Sequence, residues 1–568
     1  MRAALLLPLL PALLHAAPLH VDFRHAAGEQ PLLLDSLRYS TNAGEAFSVT
    51  RAAWLATGFS VETAEGKVIE VPGKTAYIPE SGALVTLPGL PDTRIRSLSF
   101  YVGPDEKANH ADPASLAPND PLNPNLNRLH WDWQGGYIFL ALEGHRRKDA
   151  DKFPAGYAYH FARDPNRVRI TLPIDADLHN EARATVVLDV PALLDGLSFA
   201  KDGATTHSQD GDPVAVRLKE NLSHAFHITA VESGGIPTPP QAPPPIDLPK
   251  DLTPYPLRLP RTVPLPALPR DNPLLAGRVA LGAKLFSEPK LSRTGAISCA
   301  SCHVESSGFS DPRRFSLGVD GQPGKRHAMP LFNLAWKDRF FWDGRAPSLR
   351  AQVMFPIQDH LEMDEKPEQI VEKLKADPAY PPLFEQAFGS GAITPENMAL
   401  ALENFLLTKM SFDSKFDRAL KGGTPLTELE QHGLELFFTE SEPRMGKRGA
   451  DCFHCHGGAL FSDHGFHNNG LVFTEDMGLA AITGKDTDRY KFSTPSLRNV
   501  ALTAPYMHDG RFATLEEVVK HYNEGFVQSE TLDPNLAKHP AGLGLSAEDQ
   551  AGLVAFLKAL SDPAYGPK

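Results

Sequence analysis

The chain has 568 residues, is 42% hydrophobic and carries 69 acidic against 56 basic side chains, for a formal net charge of −13. That length and apolar content suit a globular protein of two to four domains, not a disordered or fibrous one. The acidic balance argues against nucleic acid and against anionic membrane surface as partners.

Met1-Arg2 precedes an apolar run from Ala3 to Leu14, with small residues at Ala16 and Ala17. This is the pattern of a secretory signal peptide, so residues 1–17 are expected to be removed on export. The run is too short to cross a bilayer and no later run is long enough, so no membrane insertion is expected. An oligomer is compatible with everything in the sequence.

Residues 18–232 read as β. Short runs with partial alternation fall at Ala83–Leu87, Ile95–Val102, Gly136–Leu142, Val168–Leu172 and Ala184–Val190, separated by Pro, Gly and Asp. They predict an all-β, immunoglobulin-like antiparallel sandwich. Residues 233–272 are proline-dense (Pro239-Pro240, Pro243-Pro244-Pro245, Pro264-Leu265-Pro266), which favours an extended linker.

Beyond the linker the pattern turns mainly α. Thr394-Pro395 opens a helix containing Met398–Leu407, Thr514 and Glu517 form a capping box ahead of Leu515–Tyr522, and Ser546 and Asp549 open the last helix. Leu515, Val518, Val519 and Tyr522 fall at i, i+3, i+4 and i+7, so the tyrosine is expected on a buried face.

All four cysteines lie in two C-x-x-C-H strings, Cys299-Ala-Ser-Cys302-His303 and Cys452-Phe-His-Cys455-His456. In such a string both thiols form thioethers to haem vinyl groups and the imidazole ligates the iron, so two covalently bound haem c groups are expected. A Cys₄ zinc site is the competing reading, but it leaves the adjoining histidines without a role. Haem c also implies the periplasm, and with every thiol in a thioether no disulfide is available.

Around these motifs, Leu281-Gly282-Ala283-Lys284-Leu285-Phe286, Phe340-Phe341-Trp342-Asp343-Gly344-Arg345, Thr494–Val500 and Thr503–Gly510 resemble the dihaem cytochrome c peroxidase and MauG superfamily over about 273–559. The resemblance implies two lobes, 273–425 with a peroxide-binding haem and 426–568 with a second haem. It also implies hydrogen peroxide as oxidant. The place of the distal histidine of resting peroxidases holds Val319, which cannot ligate iron, so the haem on His303 is expected open. Gln352, Pro356 and Glu362 match the distal glutamine, proline and catalytic glutamate; a carboxylate there can move a proton between the peroxide oxygens. Trp342 matches the inter-haem tryptophan, and His508 a histidine near the second haem with no assigned role. Tyr522 stands where electron-accepting peroxidases have a methionine ligand. An oxygen ligand favours oxidised iron where a thioether favours reduced iron. The family's calcium uses backbone oxygens matching Thr503 and Pro505, but its asparagine place holds His327, whose imidazole is unfavourable for calcium.

In the first half, His20–His25, Leu37-Arg38-Tyr39 and above all the Leu129–Gly144 string with His130-Trp131-Asp132-Trp133 resemble the MbnP family of exported copper-binding proteins. The partner of that family, MbnH, is a MauG-like enzyme that oxidises an MbnP tryptophan to kynurenine, so the chain looks like a fusion of the two. The resemblance implies Trp131 or Trp133 as modified residue, the chain's own N-terminal domain as substrate, and a Cu(I) site among His130, His160 and His207, with His25 also available. Trp54 is a third tryptophan outside the matching string. Core aromatics and surface histidines are the plainer readings of each. Two rival functions stay open: a conventional peroxidase with an external electron donor, and a copper-binding protein whose haems serve electron transfer.

Overall fold

Val168–Asp177 shows why the first half is sheet: Ile170, Leu172, Ile174 and Ala176 are buried in strict alternation with exposed neighbours, so one face meets the core. The strand runs past the expected end at Leu172 because Pro173 is absorbed at an irregularity in the pairing with Arg94–Val102. The computed structural model describes residues 18–131, 135–147, 152–179, 181–233, 253–261, 263–441, 447–471 and 475–566. The signal peptide, Trp133 and linker residues 234–252 lie outside the described residues.

The other expected strands are present as Ala83–Leu87, Arg94–Val102, Gly136–Arg147 and Ala182–Asp189, joined by Leu19–Ala27, Arg51–Thr63 and Phe226–Ser233. One sheet runs Phe226–Ser233, Ala182–Asp189, Leu19–Ala27; another runs Val168–Asp177, Arg94–Val102, Arg51–Thr63, Gly136–Arg147. The pairing is not wholly antiparallel: Leu19–Ala27 runs parallel to Ala182–Asp189, which is available to it because most of the domain lies between them in sequence as a crossover. Trp54 is 1% exposed at the centre of this core, edge-on to Phe23 (5.1 Å) and Phe226 (5.0 Å) and stacked on Phe100 (5.8 Å).

By its contacts the chain divides into two units, and the division does not fall only at the linker. Unit 1 comprises residues 1–111, 135–148 and 157–241; unit 2 comprises Asp112–Gln134, Asp149–Gly156 and Ala242–Lys568. The stretch holding His130 and Trp131 therefore counts with unit 2.

Unit 2 is mainly helix and loop. Thr394 caps Pro395–Leu407 by accepting from the Asn397 N–H, and Ser546 with Asp549 caps Ala547–Ala559. Two apolar clusters form. One gathers Leu285, Phe286, Phe332, Trp336 and Phe405, with Cys299 against it; the other gathers Phe437, Phe461 and Phe556, with Cys452 against it. Each cluster thus backs one C-x-x-C-H. Among the described residues no helix is long and apolar enough to cross a membrane.

Candidate active site

Each C-x-x-C-H forms one helical turn. The His303 N–H reaches the Cys299 carbonyl at 3.0 Å and the His456 N–H reaches the Cys452 carbonyl at 2.9 Å. That turn sets both cysteines of a motif, three residues apart, on one face. His303 Nδ1 donates to the Phe309 carbonyl (2.9 Å) and His456 Nδ1 to the Phe461 carbonyl (3.1 Å), so Nε2 keeps its lone pair in both rings. Burial lowers both imidazoles, favouring the neutral form that binds metal, and pushes the Cys299 and Cys452 thiols up to about 12. Neutral, oriented imidazoles beside paired, protonated thiols fit a thioether-bound haem.

On the other side of the first motif, the Val319 N–H bonds the Glu362 carbonyl at 2.9 Å, so the residue in the distal-histidine place lies directly beside the candidate acid–base group. The approach is close enough that a Cβ on Gly318 would meet the Leu361 oxygen at 2.1 Å, which only glycine avoids. Glu362 is pushed up to about 7, first by burial and then by Asp359, with Arg345 opposing. Its charge in turn raises the Cys299 and Cys302 thiols, which sets it in the pocket of that motif. Gln352 and Pro356 lie one turn apart on the helix Leu349–Gln358. Pro356 has no N–H to offer the Gln352 carbonyl, and its own carbonyl accepts from Met363 (3.1 Å), folding the Glu362 turn back onto the helix end.

Trp342 is 8% exposed; its Nε1–H donates to the His327 carbonyl (2.9 Å), and its carbonyl accepts from the Ser493 N–H (2.8 Å). His508 is buried with its ring stacked on Phe492 at 3.6 Å.

The helix that leads to Tyr522 is shorter than expected from the sequence. The α-helix covers only Leu515–Lys520 and passes into a wider π-type turn, His521–Gly525. Within that turn His521 is buried and Tyr522 half-buried. The phenol still faces the second motif: after burial and an Asn469 hydrogen bond, Cys455 and Cys452 are the charges that act on it, and burial holds it well above the ordinary tyrosine range. Asn469 Nδ2 donates to Tyr522 Oη (3.3 Å) and to Met507 Sδ (3.4 Å). Met507 lies in the Thr503–Gly510 string and Asn469 in the turn signal Asn468-Asn469-Gly470, but neither string by itself indicates their shared hydrogen bonding.

Behind His456, Asp463 and Asp533 flank His467 at 2.8 and 2.6 Å. Burial opposes the charge, but the two carboxylates push His467 up to about 10. Burial would also raise Asp463, yet His467 and then Arg128 hold its carboxyl far below the usual range. Arg128 belongs to the Asp112–Gln134 stretch of unit 2, three residues before Trp131, which is 8% exposed.

In unit 1, His160 Nδ1 lies 3.1 Å from His207 Nε2, and His160 Nε2 lies 3.0 Å from Glu143 Oε1, itself bonded to Arg51 (3.1 Å). Both imidazoles are 2% exposed. Because a carboxylate only accepts, Nε2 of His160 carries a proton and Nδ1 takes the one from His207. A soft cation replacing that shared proton would find two nitrogen ligands. Glu143 lies inside the Leu129–Gly144 string, but its pairing with His160 depends on a residue 17 positions on. His130 belongs to the Asp112–Gln134 stretch of unit 2. His25 is committed to the core, where its Nε2 accepts from Trp54 Nε1 at 3.2 Å and burial lowers it to about 4.

Comparison with known proteins accords with this geometry. A family profile described as di-haem cytochrome c peroxidase matches residues 276–425, and one described as MbnP matches residues 16–209. The methylamine utilization protein MauG of Methylorubrum extorquens is 39% identical over 312 residues, covering 54% of this chain and 84% of its own length. The cytochrome c peroxidase Ccp of Escherichia coli is 33% identical over 311 residues, covering 53% and 62%. A crystal structure of a MauG-like protein associated with microbial copper homeostasis is 33% identical, covers 55% of this chain and 97% of its own, and has a TM-score of 0.49. The protein is a haem-dependent, peroxidase-type oxidoreductase whose family has two c-type haems and hydrogen peroxide as substrate. The chain belongs to the MauG and di-haem cytochrome c peroxidase family, with an MbnP-like domain fused ahead of the enzyme.

Proposed function

We propose that the protein uses peroxide to oxidise Trp131 of its own MbnP-like half to kynurenine, making a periplasmic Cu(I) site. The observation that carries this reading is the membership of the Trp131 stretch in unit 2, together with the action of Arg128 on Asp463 beside the second haem motif. Cys299, Cys302 and His303 hold one haem, and Cys452, Cys455, His456 and Tyr522 the other. When bound, these haems supply the redox centres that accept electrons from the substrate and pass them to peroxide. Glu362 takes the proton from the inner peroxide oxygen and returns it to the outer one as the O–O bond breaks, with Gln352 lining the same helix turn. Trp342, fixed at its N–H, carries charge between the lobes.

The chemistry balances with two peroxides per indole: the C2–C3 bond is cleaved, the ring carbon leaves as formate, and one water remains. Intact-mass analysis and peptide mapping after peroxide treatment test this directly. Kynurenine in the peptide holding Trp131 is the expected result, and an unchanged tryptophan set rejects it.

For copper, His160 and His207 supply the nitrogen ligands. His207→Ala is expected to weaken Cu(I) binding at least tenfold in a competition titration while leaving peroxide consumption intact, because it removes one of the two nitrogen ligands.

A second reading has one observation behind it. Met507 Sδ shares Asn469 with Tyr522, so a thioether is at hand for the second haem, as in a peroxidase fed by an external donor. Tyr522→Phe separates the two. With tyrosine as ligand the second haem's potential rises and its oxidised-state spectrum changes; with Met507 as ligand both stay as they are.

A further inference from the structure

We infer that His327 is a positioning residue that occupies the place of the family's inter-haem calcium and holds Trp342 by protein hydrogen bonds alone. This rests on the inter-haem role of Trp342 in the reading above, but not on which residue is oxidised. His327 is 5% exposed. Its Nδ1 lies 3.2 Å from the Arg314 carbonyl and its Nε2 lies 3.0 Å from Ser310 Oγ. The carbonyls of Thr503 and Arg313 face the same ring.

Calcium needs six to eight oxygen ligands at about 2.3–2.6 Å. Here the imidazole already engages the Arg314 carbonyl, and the Thr503 oxygen assigned to the ion by resemblance acts on the same ring. Because a carbonyl can only accept, Nδ1 presents a proton to Arg314, and both ring nitrogens are already engaged. The residues present therefore do not fit calcium; they fit the imidazole that has replaced it.

The backbone of the same residue does the positioning. The His327 N–H donates to the His508 carbonyl (2.8 Å), and the His327 carbonyl accepts the Trp342 indole N–H (2.9 Å). Ser310, on the side-chain end, follows Phe309, whose carbonyl orients His303. Ser310 Oγ also lies 2.6 Å from the Ala328 carbonyl, next to His327 in the chain. Next door, Arg326 bridges Asp343, the neighbour of Trp342, and Asp476. His327 thus ties these parts together: its ring engages Ser310 and the Arg314 carbonyl, and its backbone joins the Trp342 indole to His508.

The test uses the haem-loaded, full-length protein and needs no turnover. Metal analysis of the purified protein is expected to find no stoichiometric calcium, and its melting temperature and haem spectra are expected to be the same in calcium and in EGTA. His327→Asn reopens the oxygen set. It is expected to bind one calcium and to melt several degrees higher in calcium than in EGTA, with the inter-haem spectroscopic coupling following the same dependence. His327→Gln, which restores a side-chain donor without the ring, is expected to fall between them. One calcium per wild-type chain, or wild-type spectra that change in EGTA, overturns the inference. So does an Asn variant indifferent to calcium. None of these readouts depends on kynurenine formation, so failure here is distinguishable from failure of the proposed function.

Discussion

Glu362→Gln is expected to lower the peroxide-dependent rate by roughly 10²–10⁴-fold, the range for loss of a positioned acid–base group. The amide keeps the shape of the site but cannot take a proton from peroxide. The wild-type pH profile should reveal the group itself. Burial and Asp359 push Glu362 up to about 7, so the working carboxylate is lost, and the rate falls, as pH drops through about 7. The sign for stability is opposite. A carboxyl whose folded value is raised contributes stability at low pH, fully below its unfolded value, and loses it as pH rises through about 7. At pH 8 the buried charge is therefore a burden, and the glutamine variant should be more stable by about 2 kcal/mol while nearly inactive. Stopped-flow kinetics with peroxide and denaturant titrations at pH 6 and pH 8 measure both; an unaltered rate would remove Glu362 from the mechanism.

Trp131→Phe is expected to abolish kynurenine formation altogether while leaving the haem spectra and the consumption of peroxide with an artificial donor in place. Phenylalanine keeps a ring in a position only 8% exposed, so the loss of packing is modest, but it has no indole to cleave. Trp54→Phe serves as the contrast. Its indole lies in the aromatic core of unit 1 with its N–H on His25, so that variant should lose stability and keep the modification. Peptide mapping reads each result, and kynurenine persisting in Trp131→Phe would move the reaction to another tryptophan.

Much of the fold could be read because its signals are local. Alternation in Val168–Leu172 and Ala83–Leu87, the capping residues Thr394 and Ser546, and the C-x-x-C-H strings each act within a few residues, so spacing alone carries them. The π-type turn at His521 was invisible because a helical i, i+7 pattern assumes one uniform period, which a wider turn does not keep. The contacts of Glu143, Asn469 and Met507 were not readable, since each gains its role from a partner well away in the chain.

The two haem motifs and the fusion itself were legible in the sequence, since covalent attachment needs only two thiols and a histidine one turn apart. Tertiary structure alone decided that His160 meets His207, that Trp131 counts with the haem-bearing unit while Trp54 stays in the sheet core, and that His327 joins the Trp342 indole to His508. Those outcomes depend on contacts between residues tens to hundreds of positions apart, which burial and hydrogen-bond satisfaction select only once the whole chain has packed.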